Sequence, residues 1–259
     1  MIEEPYRWVE AIANRAEYIE TQLASGSPIV ALGYRDGILF LTLGKTRQKL
    51  FEIYDRVAMG AIGHPGDIER LRMAAIELAS TEGFTRSAAD VSLRRLAHYS
   101  LSPVLKTAFE QVYGAPYLAR LLFAEIGAKQ ENDLFLRLDY DGAIATNSGT
   151  FTETRQDFGA LSGSRQSTEL MEKYLAAEHS PGATFERALK LSLDAWIVGQ
   201  LAIGDDGVKE LPARDKIVAE RKERLRAAGI EAAVLDRGDQ SAIRYRTLEN
   251  TEIRTALGD

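Results

Sequence analysis

An α+β fold is what this sequence predicts, with antiparallel strands packed against amphipathic helices, and three observations carry that reading. Residues 30–62 hold two β-prone hairpins: Val30–Tyr34 with Ile38–Leu43 around Arg35-Asp36-Gly37, and Lys49–Ile53 with Val57–Ile62 around Tyr54-Asp55-Arg56. An Asp-Gly pair between apolar runs is a strong short-range hairpin signal. After Gly63, Asp67–Ala79 repeats apolar residues every three or four positions (Ile68, Leu71, Ala75, Leu78, Ala79), so a helix with one buried face follows the strands. Farther on, Tyr117–Gly127 is apolar on both faces in its centre, the pattern of a strand inside a sandwich.

The other elements are read in chain order. Pro5–Leu23 has the stripe Trp8, Ile12, Ala16, Ile19 and Leu23 of an amphipathic helix, with proline suited to its first turn, and it stops at Ala24-Ser25-Gly26. Gly44–Gln48 is a short polar connection, and Thr81–Arg86 reads as a polar break after the helix of 67–79. A second long helix is expected over Ala88–Gln111, with Val91, Leu96, Tyr99, Leu105 and Phe109 as its apolar positions and Pro103 kinking or dividing it. Asp133–Asp139 alternates as a strand, and Asp141-Gly142 turns the chain. Asp157–Ser164 is a turn of small residues leading into a helix over Gln166–Ala177; it lacks the lysine and spacing of a phosphate-binding loop. Thr184 N-caps a helix over Phe185–Leu201 whose stripe Leu189, Leu193, Trp196, Ile197 and Leu201 is core. The charged segment 205–229, with Asp215–Arg226 at its centre, has few apolar residues and reads as a solvated ion-paired helix, a flexible insertion or a partner-binding arm. Ile230–Leu235 and Ala242–Arg246 form a last hairpin, and Glu249–Leu257 a closing helix.

Composition narrows the function. No linker divides the 259 residues, so one domain over 1–259 is expected. A net charge of −6 disfavours nucleic acid and anionic membranes as general partners, because both bind through cationic surfaces. The chain has no cysteine, which removes disulfides, thiolate zinc sites and cysteine nucleophiles. Charges scattered from Glu3 to Glu20 leave no signal-peptide core, and no apolar run approaches the ~20 residues of a membrane span, so a cytoplasmic location is expected. His64, His98 and His179 are far apart, and Asp139 and Asp141 flank a turn, so no metal and no cofactor are expected.

The run Lys49-Leu50-Phe51-Glu52-Ile53-Tyr54-Asp55-Arg56-Val57-Ala58-Met59-Gly60-Ala61-Ile62-Gly63, placed after a Val-Ala-Leu-Gly-Tyr…Asp-Gly-Ile-Leu-Phe hairpin and a preceding helix, resembles a proteasome subunit of the bacterial, actinobacterial-like α-type. The order and spacing of elements extend this resemblance from about Pro5 to about Leu248. It implies a four-layer α-β-β-α sandwich of two stacked antiparallel sheets, the N-terminal-nucleophile hydrolase fold. It also implies a non-catalytic subunit whose copies form a ring, heptameric by resemblance, stacked on catalytic β-type rings. The partners implied are other copies of the chain, β-type subunits, a ring-shaped ATPase or other activator with a C-terminal carboxylate tail, and unfolded protein substrates. Residues 1–26 would supply the N-terminal helix and the gate, at Met1, Ile2, Glu3, Glu4, Pro5 and Tyr6; the Tyr-Asp-Arg gate motif of archaeal relatives is absent there, and Tyr54-Asp55-Arg56 sits in a hairpin turn instead. Lys49, with Gly63 and His64, would line the pocket that takes the activator's terminal carboxylate.

The same resemblance offers a rival. Active β-type relatives use an N-terminal threonine as nucleophile, its own amine as base, a lysine nearby and an orienting carboxylate. Alignment of the first hairpin puts Ser27 at the nucleophile and Lys49 at the lysine, so a self-processing hydrolase cleaved at Gly26-Ser27 is the alternative. Three features oppose it: the carboxylate position falls on Leu43, the later acid falls near Ile203 with Asp205 the nearest carboxylate, and Pro28 follows the serine. A third reading is a homo-oligomeric scaffold without a β-type partner.

Overall fold

The computed structural model describes residues 5–44, 47–111, 113–146, 156–204, 210–227, 229–238 and 244–258. The first helix is α1 (Pro5–Leu23), and the two hairpins are β1 (Ile29–Tyr34) with β2 (Gly37–Gly44) and β3 (Leu50–Tyr54) with β4 (Val57–Gly63). Each closes through two residues, because Tyr34 pairs with Gly37 and Tyr54 with Val57. The Asp-Gly signal therefore located the first hairpin but misplaced its glycine, which opens β2 rather than sitting in the loop. Gly37 is needed for a close approach: a Cβ there would lie 2.1 Å from the Leu235 carbonyl oxygen. The turn itself is held from outside, by Arg35 N donating to Ala183 O and Arg237 N donating to Asp36 O.

The remaining strands are β5 (Ala119–Glu125), β6 (Leu134–Leu138), β7 (Ile144–Thr146), β8 (Phe158–Leu161), β9 (Gly229–Asp236) and β10 (Tyr245–Thr247). They form two antiparallel five-stranded sheets, ordered β10-β9-β2-β1-β8 and β3-β4-β5-β6-β7. Strand alternation sends Ile29, Ala31, Phe40, Leu122, Phe135 and Leu235 into the space between the sheets. Val30, Leu32, Leu39 and Leu41 go to the opposite face, under α5 (Arg165–Glu178) and α6 (Phe185–Ala202). Met59, Ala61, Leu121 and Phe123 go to the outer face of the second sheet, under α2 (Pro65–Thr85). Strands buried on both faces read as continuous apolar runs, which is why the sequence shows little alternation here. The result is the expected α-β-β-α layering.

Several boundaries differ from expectation. The helix of 67–79 continues through the supposed break to Thr85, where Gly83 lets the helix pass the Tyr54 hydroxyl; a Cβ at Gly83 would stand 2.1 Å from that oxygen. The long helix of 88–111 is instead a 3-10 turn (Ala88–Asp90), a short α3 (Leu93–Arg95), a π-wound turn (Leu96–Leu101) and α4 (Ser102–Glu110). Its start is displaced because Leu93 N is captured by Glu125 at 2.9 Å. Tyr99, Leu78 and Trp8, each expected in an apolar stripe, are 81, 38 and 46 % exposed. The turn of 157–164 contains β8, an edge strand whose Gly159 fits closely beside Leu122. Within the charged segment, α7 (Arg214–Ala227) packs on α6: Ile217 is buried and Arg221 pairs with Asp194 at 3.2 Å. It is therefore more than a solvated helix. The last helix, α8 (Asn250–Leu257), buries Ile253 on the same side. Among the described residues no helix is long and apolar enough to cross a membrane.

One ion pair joins the sheets at their edge. Arg237, in the turn after β9, donates from Nη1 and Nη2 to both Asp133 oxygens at 2.9 and 2.6 Å, and Asp133 Oδ1 also accepts Gly127 N at 2.9 Å. Arg237→Ala would leave a fully buried carboxylate short of its counter-charge, and we expect a loss of about 3 kcal/mol in chemical denaturation. The Asp133→Ala, Arg237→Ala double variant should lose less than the sum of the singles.

His179 gives the fold an acid-side weakness. Its two ring nitrogens are buried without hydrogen-bond partners, its ring meets Phe158 edge-on, and burial with nearby Arg187 pushes its pKa below the ordinary value. The unfolded chain thus takes up a proton at higher pH than the folded one, so stability is full above the unfolded histidine pKa and falls as pH drops through the folded value. A His179→Leu variant should show a flatter melting temperature below about pH 6.5 than the parent.

Candidate functional site

The second hairpin gathers Lys49, Gly63 and His64 at one end. Lys49 O accepts Ala61 N at 3.0 Å, so the β3/β4 ladder begins at Lys49 and Gly63 lies two residues beyond its partner. Leu50 enters the space between the sheets beside Ile29, and Phe51 packs toward α2. Gly63 has φ +138°, and a Cβ there would lie 2.0 Å from Leu118 O, so a side chain is excluded both by conformation and by space. His64 caps α2 through its backbone: its N–H donates to Leu118 O at 2.7 Å and its carbonyl accepts Asp67 N and Ile68 N. The His64 side chain makes no capping bond and is exposed. The helix N-terminus and the lysine together make this end cationic, partly offset by Asp67 in the first turn.

Lys49 is half-buried. Burial pushes its ammonium pKa down, and the carboxylate of Glu231 pulls it back up. Glu231 reaches across from β9 in the other sheet: Oε1 accepts Lys49 N and Leu50 N, each at 2.9 Å, and Oε2 accepts Lys49 N at 3.1 Å. Nothing in the local sequence around Lys49 points to this residue, because the contact spans the two sheets.

The rival pair is not assembled. Ser27 Oγ donates to Leu43 O at 2.9 Å, and among the described residues no hydrogen bond joins it to Lys49. The Leu43 side chain is buried in apolar surroundings where an orienting carboxylate would be needed. Ile203 ends α6, and Asp205 lies outside the described residues.

Ser27 also follows a helix that is built into the fold. Ile19 and Leu23 of α1 are fully buried beside Tyr140, and Gly163 N donates to Gly26 O at 3.2 Å. Arg120, only 3 % exposed on β5, donates to Glu20 of α1 at 2.6 Å, to Asp139 at 3.0 Å and to the Gly163 carbonyl. Tyr140 OH donates to the same Glu20 oxygen at 2.9 Å. Sequence reasoning passed over Arg120; a lone arginine inside an otherwise apolar strand was the available signal. It also read Asp139 as part of a turn, whereas its carboxylate serves this cluster.

Of the expected gate, Met1–Glu4 lie outside the described residues, as do the side chains of Pro5 and Tyr6. Among the described residues no group of three or more His, Asp or Glu side chains is arranged to hold a metal.

Comparison with known proteins gives a consistent result. A family profile described as "Proteasome subunit" matches residues 24–195. The chain is 35 % identical over 250 residues to "Proteasome subunit alpha" of Streptomyces coelicolor, covering 96 % of this chain and 87 % of that protein. It is 34 % identical over 251 residues to the protein of the same name from Streptomyces scabiei, covering 96 % and 89 %, and 32 % identical over 250 residues to that of Streptomyces griseus, covering 96 % and 82 %.

The geometry at Gly63 is directly testable. Gly63→Ala combines an unfavourable φ with a backbone clash, and a loss above about 2 kcal/mol in urea denaturation is expected.

Proposed function

The chain belongs to the proteasome-subunit family, and we propose that it works as an α-type ring subunit without peptidase activity of its own. In this reading copies of the chain form a ring, heptameric by the family resemblance, that stacks on catalytic β-type rings in the cytoplasm and builds an antechamber. Residues Met1–Tyr6 gate the access of unfolded protein substrates. Lys49, Gly63 and His64 dock the C-terminal carboxylate of a ring-shaped ATPase or other activator. The whole chain, 1–259, acts as one unit.

The observation that carries the reading is the seating of α1. A β-type mechanism needs a free amine on Ser27, and therefore the loss of everything before it. That loss would strip Glu20 from the buried Arg120 and remove Ile19 and Leu23 from the core. Breaking a buried ion pair by deleting one partner costs about 3–5 kcal/mol before the lost apolar contacts are counted. The name "Proteasome subunit alpha" of the similar streptomycete proteins supports the same assignment.

Lys49 supports the docking role by its chemistry. Its ammonium makes no salt bridge among the described residues and is half-buried, so an incoming chain-terminal carboxylate can pair with it directly. Lys49→Ala is expected to weaken activator stimulation of peptide hydrolysis about a hundredfold, with the ring intact by native mass measurement. Unchanged stimulation would refute the docking assignment. Intact mass of the assembled protein tests the rival: a chain beginning at Ser27 would overturn the non-catalytic reading.

A further inference from the structure

We propose that Glu231 is a positioning residue for the carboxylate-docking lysine: from β9 its carboxylate fixes the backbone at Lys49 and Leu50 and sets a negative charge beside the half-buried ammonium. The proposal rests on the docking role given to Lys49 above.

The geometry separates two tasks. The three hydrogen bonds from Lys49 N and Leu50 N occupy the Glu231 oxygens, so Glu231 holds the main chain and leaves the ammonium unpaired for a ligand. A carboxylate that paired with the ammonium itself would compete with an incoming chain terminus. At the same time its charge offsets the cost of burial, which otherwise favours a neutral amine that cannot attract a carboxylate. Because Glu231 belongs to one sheet and Lys49 to the other, the docking point also depends on how the two sheets are stacked.

Among the described residues, Arg47 lines the same cavity as Glu231. Tyr245 of β10 faces the Glu231 side, and burial pushes its hydroxyl up to about 12. Glu52 follows on β3, with its carboxyl raised by burial and by Asp55. On α2, Arg72 pairs with Glu69 and stacks over Phe51, and His64 stands at the helix start. Tyr245, Glu52 and the Glu69–Arg72 pair hold their charge between pH 8 and 10, so a change of Lys49 behaviour in that window reports on Lys49 and Glu231.

The test uses the full-length assembled protein and competitive acetylation with acetic anhydride, read lysine by lysine by mass spectrometry across pH 7–10. A pool of random octapeptides with free C-terminal carboxylates, and the same pool amidated, serve as probes. Free-acid peptides should slow acetylation of Lys49 and amidated peptides should not. In Glu231→Gln, which keeps an oxygen acceptor for the backbone, the Lys49 labelling curve should move to lower pH, with a several-fold faster reaction at pH 8, while other lysines stay in place. Protection by the free acids should then be several-fold weaker at pH 9 and near the parent value at pH 7. A purely structural role would weaken protection equally at both pH values. An unmoved labelling curve, or pH-independent weakening, overturns the proposal while parent protection stands. Absence of protection in the parent protein overturns the docking reading itself, and this proposal with it.

Discussion

The guanidinium of Arg120 imposes the central constraint on this structure. A charge removed from water costs several kcal/mol unless every donor finds an acceptor of suitable charge and geometry. Here the acceptors come from separate parts of the chain: Glu20 from α1, Asp139 from the end of β6, and the Gly163 carbonyl from the turn between β8 and α5. Gly163 can serve only because it lacks a side chain, since a Cβ there would lie 2.3 Å from Leu23 O. Each of these elements must be in place for the others to be tolerated. The N-terminal helix is therefore bound into the sandwich by electrostatics as well as by Ile19 and Leu23.

The two sheets are coupled at their edges by the same kind of device. Apolar packing between them supplies most of the burial but is non-directional. Directionality comes from carboxylates that cross the gap. Asp133, between β5 and β6, takes both nitrogens of Arg237 beyond β9, and Glu231 on β9 takes the first N–H groups of β3. These contacts set how β9 lies against the second sheet, and one of them places the lysine on which docking is proposed to depend. Stability and the proposed docking thus share a few charged residues at the rim of an otherwise apolar sandwich.

The sandwich framework is retained, while among the described residues no base or carboxylate is hydrogen-bonded to Ser27. Ser27 occupies the strand start, yet its hydroxyl is spent on Leu43 O, the neighbouring side chain is aliphatic, and among the described residues no hydrogen bond joins the serine to Lys49. A nucleophile needs a base and an orienting group within hydrogen-bond reach. What the framework supplies instead is a rigid hairpin end, closed by a glycine that no other residue could replace without strain.

Much of this was legible in the residues alone. The apolar runs of β1 to β6, the Ile19 and Leu23 end of the α1 stripe, the Thr184 cap of α6 and the position of Gly63 all follow from local patterns, because secondary structure and turns are decided over a few neighbouring residues. The order and spacing of those elements were enough to identify the family. Ends and exceptions were not legible: α2 runs on through Gly83 because Tyr54 packs there, the helix of 88–111 is broken because Glu125 captures Leu93 N, and β8 exists because β1 offers it an edge. The charged helix α7 is held by one buried isoleucine and one ion pair to α6, too little to mark it in sequence. The partners of Arg120 and the reach of Glu231 to Lys49 were invisible for the same reason. They join residues from 19 to 182 positions apart on different elements, and only the tertiary packing brings such groups within hydrogen-bond distance.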